Sequence, residues 1–503
     1  MKTCLIESTK ISRRSFLQAL GALTLSGSLA ACGGTGKAKS DRLAAGSLAY
    51  TPDEVVTVEF SDGGITVSPE DAAGLAVEET ALSVSGAGVY ALSGSCADGS
   101  VKVEAQTEDV VLLLDGLTLT SADTAPIVCG ESTGVTIAVV DGTENTLTDS
   151  EANDPDNAAD NENAEKAVVK CKDGSQVVLC GGGALTVNAR GKNGIKSGTA
   201  LDDRDASLTI RELTLNIEAL VNDAINAEQR LKVESGKLTI AAGEDAIHCD
   251  MELNVGAEGT TGPAITVSTC CEGLEGAVLN IYSGNMDITS TDDCLNAANS
   301  DLGDYAFEMN ISGGTIKAHS SEGDGFDSNG TLTITGGDIA VWTANAADNQ
   351  PLDADGCITI SGGTVLAAGG SAGMGFSISA SQPYVTFGGG RDSSLSLAGG
   401  AAFSIADESG KSVLDSTALC DAAFLFYSSP ALTAEGRYSV QPTVTATAKT
   451  GEADPQFGGN GGPDGSGGQR PDGMTPPDGQ MPQGQPPQSD GTTPPELPAA
   501  SSN

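Results

Sequence analysis

Between Ala241 and Asn329 one four-residue phrase recurs: Asp245-Ala246-Ile247-His248, Glu272-Gly273-Leu274-Glu275, Asp293-Cys294-Leu295-Asn296 and Asp324-Gly325-Phe326-Asp327. An acidic, a small, a large apolar and a polar residue follow in that order. Upstream the phrase continues as Asn193-Gly194-Ile195-Lys196 and Asp223-Ala224-Ile225-Asn226, and downstream it decays into Gln350-Pro351-Leu352-Asp353. The apolar members Ile195, Ile225, Ile247, Leu274, Leu295, Phe326 and Leu352 are spaced by 30, 22, 27, 21, 31 and 26 residues. A repeat of this length means stacked supersecondary units, none of which buries its apolar face alone.

A second phrase sits between the first: Leu208-Thr209-Ile210, Leu231-Lys232-Val233, Leu279-Asn280-Ile281, Met309-Asn310-Ile311, Leu332-Thr333-Ile334 and Ile358-Thr359-Ile360. Strict apolar/polar alternation is a strand with one buried face. Gly236, Gly284, Gly314, Gly337 and Gly363 each follow three residues after the last apolar member, where a bend or a close backbone approach requires glycine. Each unit holds about three short strands and no helix-length segment, which predicts one coil of an all-β, single-stranded parallel β-helix, a solenoid. Equivalent side chains of successive coils then lie roughly 4.8 Å apart. If the apolar residue points inward, the acidic column before it and the polar column after it reach the same outer edge. Carboxylates about 5 Å apart repel by roughly 3 kcal/mol at an effective dielectric near 20. Such a column calls for counter-ions.

The chain has 503 residues and a formal charge of −43, with 66 Gly and only 4% aromatics. That composition suits tight bends and thin strands, and a solenoid accommodates the length as one domain. Nucleic acid is excluded as a partner by the charge, whereas divalent cations suit it. Acidity alone also keeps an exported protein soluble. Residues 1–32 read as a signal: Ser12-Arg13-Arg14-Ser15-Phe16-Leu17 resembles a twin-arginine export motif, and Leu29-Ala30-Ala31-Cys32 resembles a lipobox whose Cys32 receives lipid. The expected location is therefore the outer face of the bacterial membrane or the cell surface. Residues 33–53 are expected as a linker, 54–445 as the repeat domain with a C-terminal β cap from 384, and 446–503 as a disordered Gly/Pro/Gln-rich tail. The repeat is expected to end at Gly369-Gly370. Val168 is aligned with Ile195, and residues 149–165 between earlier coils are a loop. Ten cysteines remain beyond Cys4 and Cys32, without CxxC spacing, and are expected as packed free thiols.

Gly88-Val89-Tyr90-Ala91-Leu92-Ser93-Gly94, Asp141-Gly142-Thr143-Glu144-Asn145-Thr146-Leu147, the Leu-Thr-Ile-x-Gly-Gly coils and the acidic corners together resemble the bacterial carbohydrate-binding domain-containing proteins over roughly 55–440. The resemblance implies an exported, often lipid-anchored, right-handed parallel β-helix that binds plant-type polysaccharide, cellulose or pectic polymers. It also implies calcium sites like those of β-helical pectate lyases.

Independently of the family, hard oxygen ligands repeated on adjacent coils suit Ca²⁺, which takes roughly 6 to 8 of them. The candidate ligands are Asp245, Asp250, Glu272, Glu275, Asp292, Asp293, Asp324 and Asp327. Zn²⁺ has little support, because His248 and His319 are the only histidines and lie in different coils. The expected function is calcium-assisted polysaccharide binding at the cell surface. A calcium-dependent polysaccharide lyase is one alternative; it needs a base near the metal, for which Lys196 is the candidate. A structural adhesin is the other. Trp342 is the only Trp, so a flat aromatic platform for sugar rings is not evident.

Overall fold

The computed structural model describes residues 43–453 apart from 304, 345–348, 371–377, 390–394 and 442–443. The signal with its arginines and Cys32, and the tail beyond 453, lie outside the described residues. Among these residues the only helical turns are two short 3-10 segments, Pro52–Glu54 and Glu151–Asn153. The protein is all-β, and 34 of its strands join one continuous sheet.

The pairing is almost wholly parallel and runs as three ladders. The first carries the corner phrase: Leu82, Val101, Ile127, Val169, Ile195, Ile225, Ile247, Leu274, Leu295 and Phe326 stack in register, and a bridge extends it to Leu352. The second carries the Leu-Thr-Ile strands, from Leu112 through Ile210, Val233, Val255, Ile281, Ile311 and Ile334 to Ile360. The third runs from Leu119 through Val187, Ile217, Ile240, Val267 and Ile288 to Val341 and Ala367. All three apolar columns fall in one continuous core. Alternation does the work: in Thr331–Ile334 and Glu308–Ile311 every second residue is buried and its neighbours face out.

The glycines of the second phrase behave as their spacing requires. Gly236, Gly284, Gly314, Gly337 and Gly363 all have φ between +80° and +128°. At Gly363 a Cβ would also stand 2.7 Å from the Gly337 carbonyl of the coil before. Backbone stacking leaves no room there.

Four boundaries differ from the sequence reading. Val169, not Val168, pairs with Ile195, so the outward residue of that coil is Lys170; the Ala167–Cys171 strand is buried at both Val168 and Val169, and hydropathy cannot tell them apart. The expected linker contains a hairpin, Leu43–Ala45 with Leu48–Tyr50, held where Gly46 N–H donates to Asp141 (2.6 Å) and Ser47 N–H to Glu212 (2.8 Å). The expected tail begins with the strand Lys449–Ala453, which pairs antiparallel with Ile378–Gly388. Both depend on partners many residues away. The Thr364–Gly369 strand is the last of the third ladder, and its outer neighbour, Phe424–Ser428, is antiparallel, but the second ladder runs one parallel strand past the expected end of the repeat at Gly369-Gly370, with Ile360 paired to Ala380. Beyond it a four-stranded antiparallel sheet of Ala402–Asp407, Ser412–Thr417, Arg437–Gln441 and Val444–Thr447 has a separate core that includes Trp342, Phe387 and Phe403. All ten cysteines described are free thiols, and eight are buried.

Candidate functional site

Register turns the corner phrase into two columns on one outer strip. The residue after the apolar one forms a ladder of Lys170, Lys196, Asn226, His248, Glu275, Asn296 and Asp327, which the Phe326–Leu352 bridge continues toward Asp353. The residue two before it forms the other: Asp223, Asp245, Glu272, Asp293, Asp324 and Gln350. The backbone holds most of this second column, because at four of its five steps the N–H of one turn is capped by the side chain of the turn before. Asp245 N–H donates to Asp223 (3.2 Å), Glu272 N–H to Asp245 (3.3 Å), Asp324 N–H to Asp293 (2.6 Å) and Gln350 N–H to Asp324. One oxygen each of Asp223, Asp245, Asp293 and Asp324 is thus spent on the fold, while Glu272 accepts from the Asn296 amide instead. The small residue between the columns is needed for the same closeness: a Cβ on Gly325 would stand 2.4 Å from the Pro351 carbonyl.

The strip changes sign along its length. It begins with two lysines, is neutral at Asn226, and becomes acidic beyond His248. Lys196 is paired with Glu228 at 3.0 Å and donates to Asn226 at 2.8 Å. Lys170 is pushed below the ordinary lysine range, first by burial and then by repulsion from Lys196.

His248 organises the middle. Its Nδ1–H reaches Asp245 Oδ2 at 3.1 Å, its Nε2–H reaches Asp250 Oδ1 at 2.8 Å, and Glu275 closes on Nδ1 as well. These hydrogen bonds outweigh desolvation and raise the imidazole far above its usual range, so it stays protonated. Three of the expected ligands, Asp245, Asp250 and Glu275, therefore already have an internal cation. An imidazolium has no lone pair for a metal, and this cluster is a poor fit to Ca²⁺.

Farther along, no such cation is present among the described residues. Oxygens of Asp324, Asp327 and Asp353 lie within 4.8 Å of one another. Burial first, and neighbouring carboxylates second, push Asp324 up to about 7 and Asp327 up to about 6, and raise Asp353. Asp293 and Glu272 are raised to about 8 and about 9 by the same causes, and Asp292 is one of the charges acting on Asp293, Asp324 and Asp327. Two neutral oxygens stand with them. Gln350, 5% exposed, donates its amide N–H to Asp353 at 3.0 Å, and Asn296, 7% exposed, donates to Glu272 at 2.9 Å. The carbonyl oxygen of each has no hydrogen-bond partner. Buried acceptors left unpaired beside crowded carboxylates are costly unless a cation takes them. This all-oxygen set fits a hard divalent ion.

The structure thus divides the eight expected ligands. Asp324 and Asp327 converge, Asp292, Asp293 and Glu272 adjoin them, and Asp245, Asp250 and Glu275 are drawn to His248. Asp353, Gln350 and Asn296 were not among the expected ligands, although the decaying phrase Gln350-Pro351-Leu352-Asp353 marked two of them. Lys196 does not serve as a base near that carboxylate set: it is five ladder steps from Asp327, about 24 Å at the interstrand spacing. Trp342 is buried, whereas Tyr305, its ring tilted against that of Phe307 at 5.6 Å between centroids, is exposed.

A polysaccharide lyase-like protein of known structure from C. thermocellum, a gadolinium derivative, aligns with 60% of this chain and 94% of its own at 23% identity, but the TM-score of 0.31 carries no weight for fold or site. A carbohydrate-binding domain-containing protein of Acetivibrio thermocellus is 30% identical over 184 residues, 36% of this chain and 60% of the relative's length. A family model described as carbohydrate-binding domain-containing protein matches residues 78–375, which span all three ladders and every residue of the strip from Lys170 to Asp353, and the chain belongs to that family.

Proposed function

We propose that this is a cell-surface polysaccharide-binding protein whose acidic strip is completed by Ca²⁺. The observation that carries the calcium reading is the set of Asp324, Asp327 and Asp353 with the unpaired oxygens of Gln350 and Asn296 beside it. Those side chains would hold the ion, which when bound supplies positive charge and coordination positions for glycan oxygens. The strip itself fixes the ligands, because Asp293 and Asp324 are each tied to the next turn's N–H, and Glu272 and Asp293 extend the negative field along it. The carbohydrate reading rests on membership of the family.

The remaining parts of the proposal follow. The three parallel ladders are read as a right-handed β-helix, a reading supported by the parallel pairing of successive turns, and the antiparallel sheet after residue 384 as its cap. Export through the twin-arginine motif and anchoring at Cys32 place the domain outside the membrane. Plant-type glycans, cellulose or pectic polymers, are the proposed class. A calcium-dependent lyase gains nothing from Lys196, which is ion-paired and remote from the carboxylate set.

The test is retention of the mature chain on insoluble cellulose and on polygalacturonate, with and without chelator, while unsaturated product is followed by absorbance. Retention on polygalacturonate that chelator abolishes is expected. Retention that chelator leaves unchanged would remove calcium from the reading, and product formation would replace binding by lysis.

A further inference from the structure

A second polar surface lies outside the acidic strip. The strand Ile247–Val255 carries His248 in the strip and Asn254 on the second ladder, so one strand serves both surfaces. Around Asn254 is a cleft of about 430 Å³ lined by Lys232, Glu234, Glu252, Glu258 and Tyr282. We propose that this cleft is a binding subsite for a neutral polysaccharide chain, distinct from the acidic strip, a proposal that rests on the carbohydrate reading above.

Three observations combine. First, the amides along this face form a directed chain. Asn310 donates to Asn280 (3.1 Å), Asn280 to Asn254 (3.1 Å) and Asn254 to Glu252 (2.9 Å). Glu252 is also held by Arg230 at 3.3 Å. Because an ionised carboxylate only accepts, the orientation of every amide in the chain is determined. Asn254 and Asn280 each keep a second N–H and a second lone pair, the donor-and-acceptor set that a sugar hydroxyl needs, while the second N–H of Asn310 goes to Glu308 at 3.3 Å. Such chains also polarise their members. Second, half-buried Tyr282 lines the cleft, its backbone N–H donating to the Val255 carbonyl at 2.9 Å. An amphipathic ring offers an apolar face to the C–H side of a pyranose and a hydroxyl to its polar edge. Third, the lining is negative. Glu234, Glu252 and Glu258 outnumber Lys232, and Lys232 has no ion-pair partner among the described residues. A uronate chain would be repelled there, whereas sugar hydroxyls donate to carboxylates. The ladder repeats this polar face in register from Lys232 through Asn254 and Asn280 to Asn310, so an extended chain meets similar groups turn after turn.

The experiment is calorimetric titration of the mature chain with neutral hexasaccharides (cello-, xylo- and manno-) and with oligogalacturonate, each with and without chelator. The variants are Tyr282→Ala and Asn254→Ala, with Glu234→Gln as a third and thermal melting as the folding control. At least one neutral hexasaccharide should bind regardless of chelator, and its affinity should fall about tenfold in Tyr282→Ala, about the loss of one aromatic contact. Glu234→Gln should leave the fold intact and let oligogalacturonate compete better for the neutral ligand. Neutral binding that Tyr282→Ala leaves unchanged at wild-type melting temperature overturns this assignment and leaves the carbohydrate reading standing. Binding of oligogalacturonate alone overturns it as well. If no glycan binds the wild-type chain, the carbohydrate reading fails and this subsite with it.

Discussion

Asp327 and Asp353 face each other with Asp324 close by, and burial raises all three because no compensating cation stands among them. His248 shows the other solution to the same problem, an internal imidazolium spanning Asp245, Asp250 and Glu275. The contrast gives a two-signed prediction. Asp327→Asn with Asp353→Asn should raise the melting temperature of the metal-free protein, since repulsion is removed, and should abolish any further rise on adding Ca²⁺. In the wild type, Ca²⁺ at about 100 times its dissociation constant should add about 2.7 kcal/mol. Calorimetric melts of both proteins, with and without the ion, decide it. The pH dependence follows from the same crowding. Glu272 and Asp293 titrate at about 9 and about 8 in the folded protein, against ordinary values of 4.5 and 3.8. The folded state then binds more protons than the unfolded one between those limits, so stability falls as pH rises. Metal-free protein should therefore unfold at lower denaturant at pH 8 than at pH 5. Saturating Ca²⁺ should flatten the difference, and a metal-free protein that is more stable at pH 8 would refute the assignment.

Strands of three to six residues make up most of the ladders, and none is stable alone. Their turns do the positioning. Gly363 at φ +80° sits against the Gly337 carbonyl, so Gly363→Ala pays for a strained backbone and a close contact together. A loss of about 1–3 kcal/mol is expected, read from urea denaturation, with glycan affinity of the folded protein unchanged. The acidic phrase was legible because its ladder role imposes one residue type per turn. Lys170 was not, because Ala167–Cys171 buries two successive apolar residues and the register follows from pairing with Asn193–Ser197 rather than from pattern. The split of the candidate ligands was likewise hidden: which carboxylates His248 neutralises depends on stacking turns 22 and 27 residues apart.

At the scale of the whole molecule, charge is graded along the first ladder, from Lys170 and Lys196 to the carboxylates near Asp353. A glycan bearing carboxylates would meet the lysines at one end and a bound cation at the other, with neutral Asn226 between them. The hairpin Leu43–Ala45 with Leu48–Tyr50 anchors the start of the described chain to the side of the stack. If Cys32 carries the proposed lipid, Cys32→Ala is expected to shift the protein from the membrane fraction to the soluble one. Membrane association that survives the substitution would refute the lipid anchor.

What the sequence by itself determined is the part that repeats: strand alternation, the positive-φ glycines and an acidic column at each corner are local requirements, renewed at every turn and therefore written as period. What only the tertiary structure decided is the part that does not repeat. Antiparallel additions at both ends, the one-residue shift at Val169, the amide chain ending on Glu252 and the choice between a histidine and an open carboxylate set all depend on which turns lie next to each other. That adjacency is set by pairing across 20 to 40 residues, and a single turn's sequence holds no record of its neighbour.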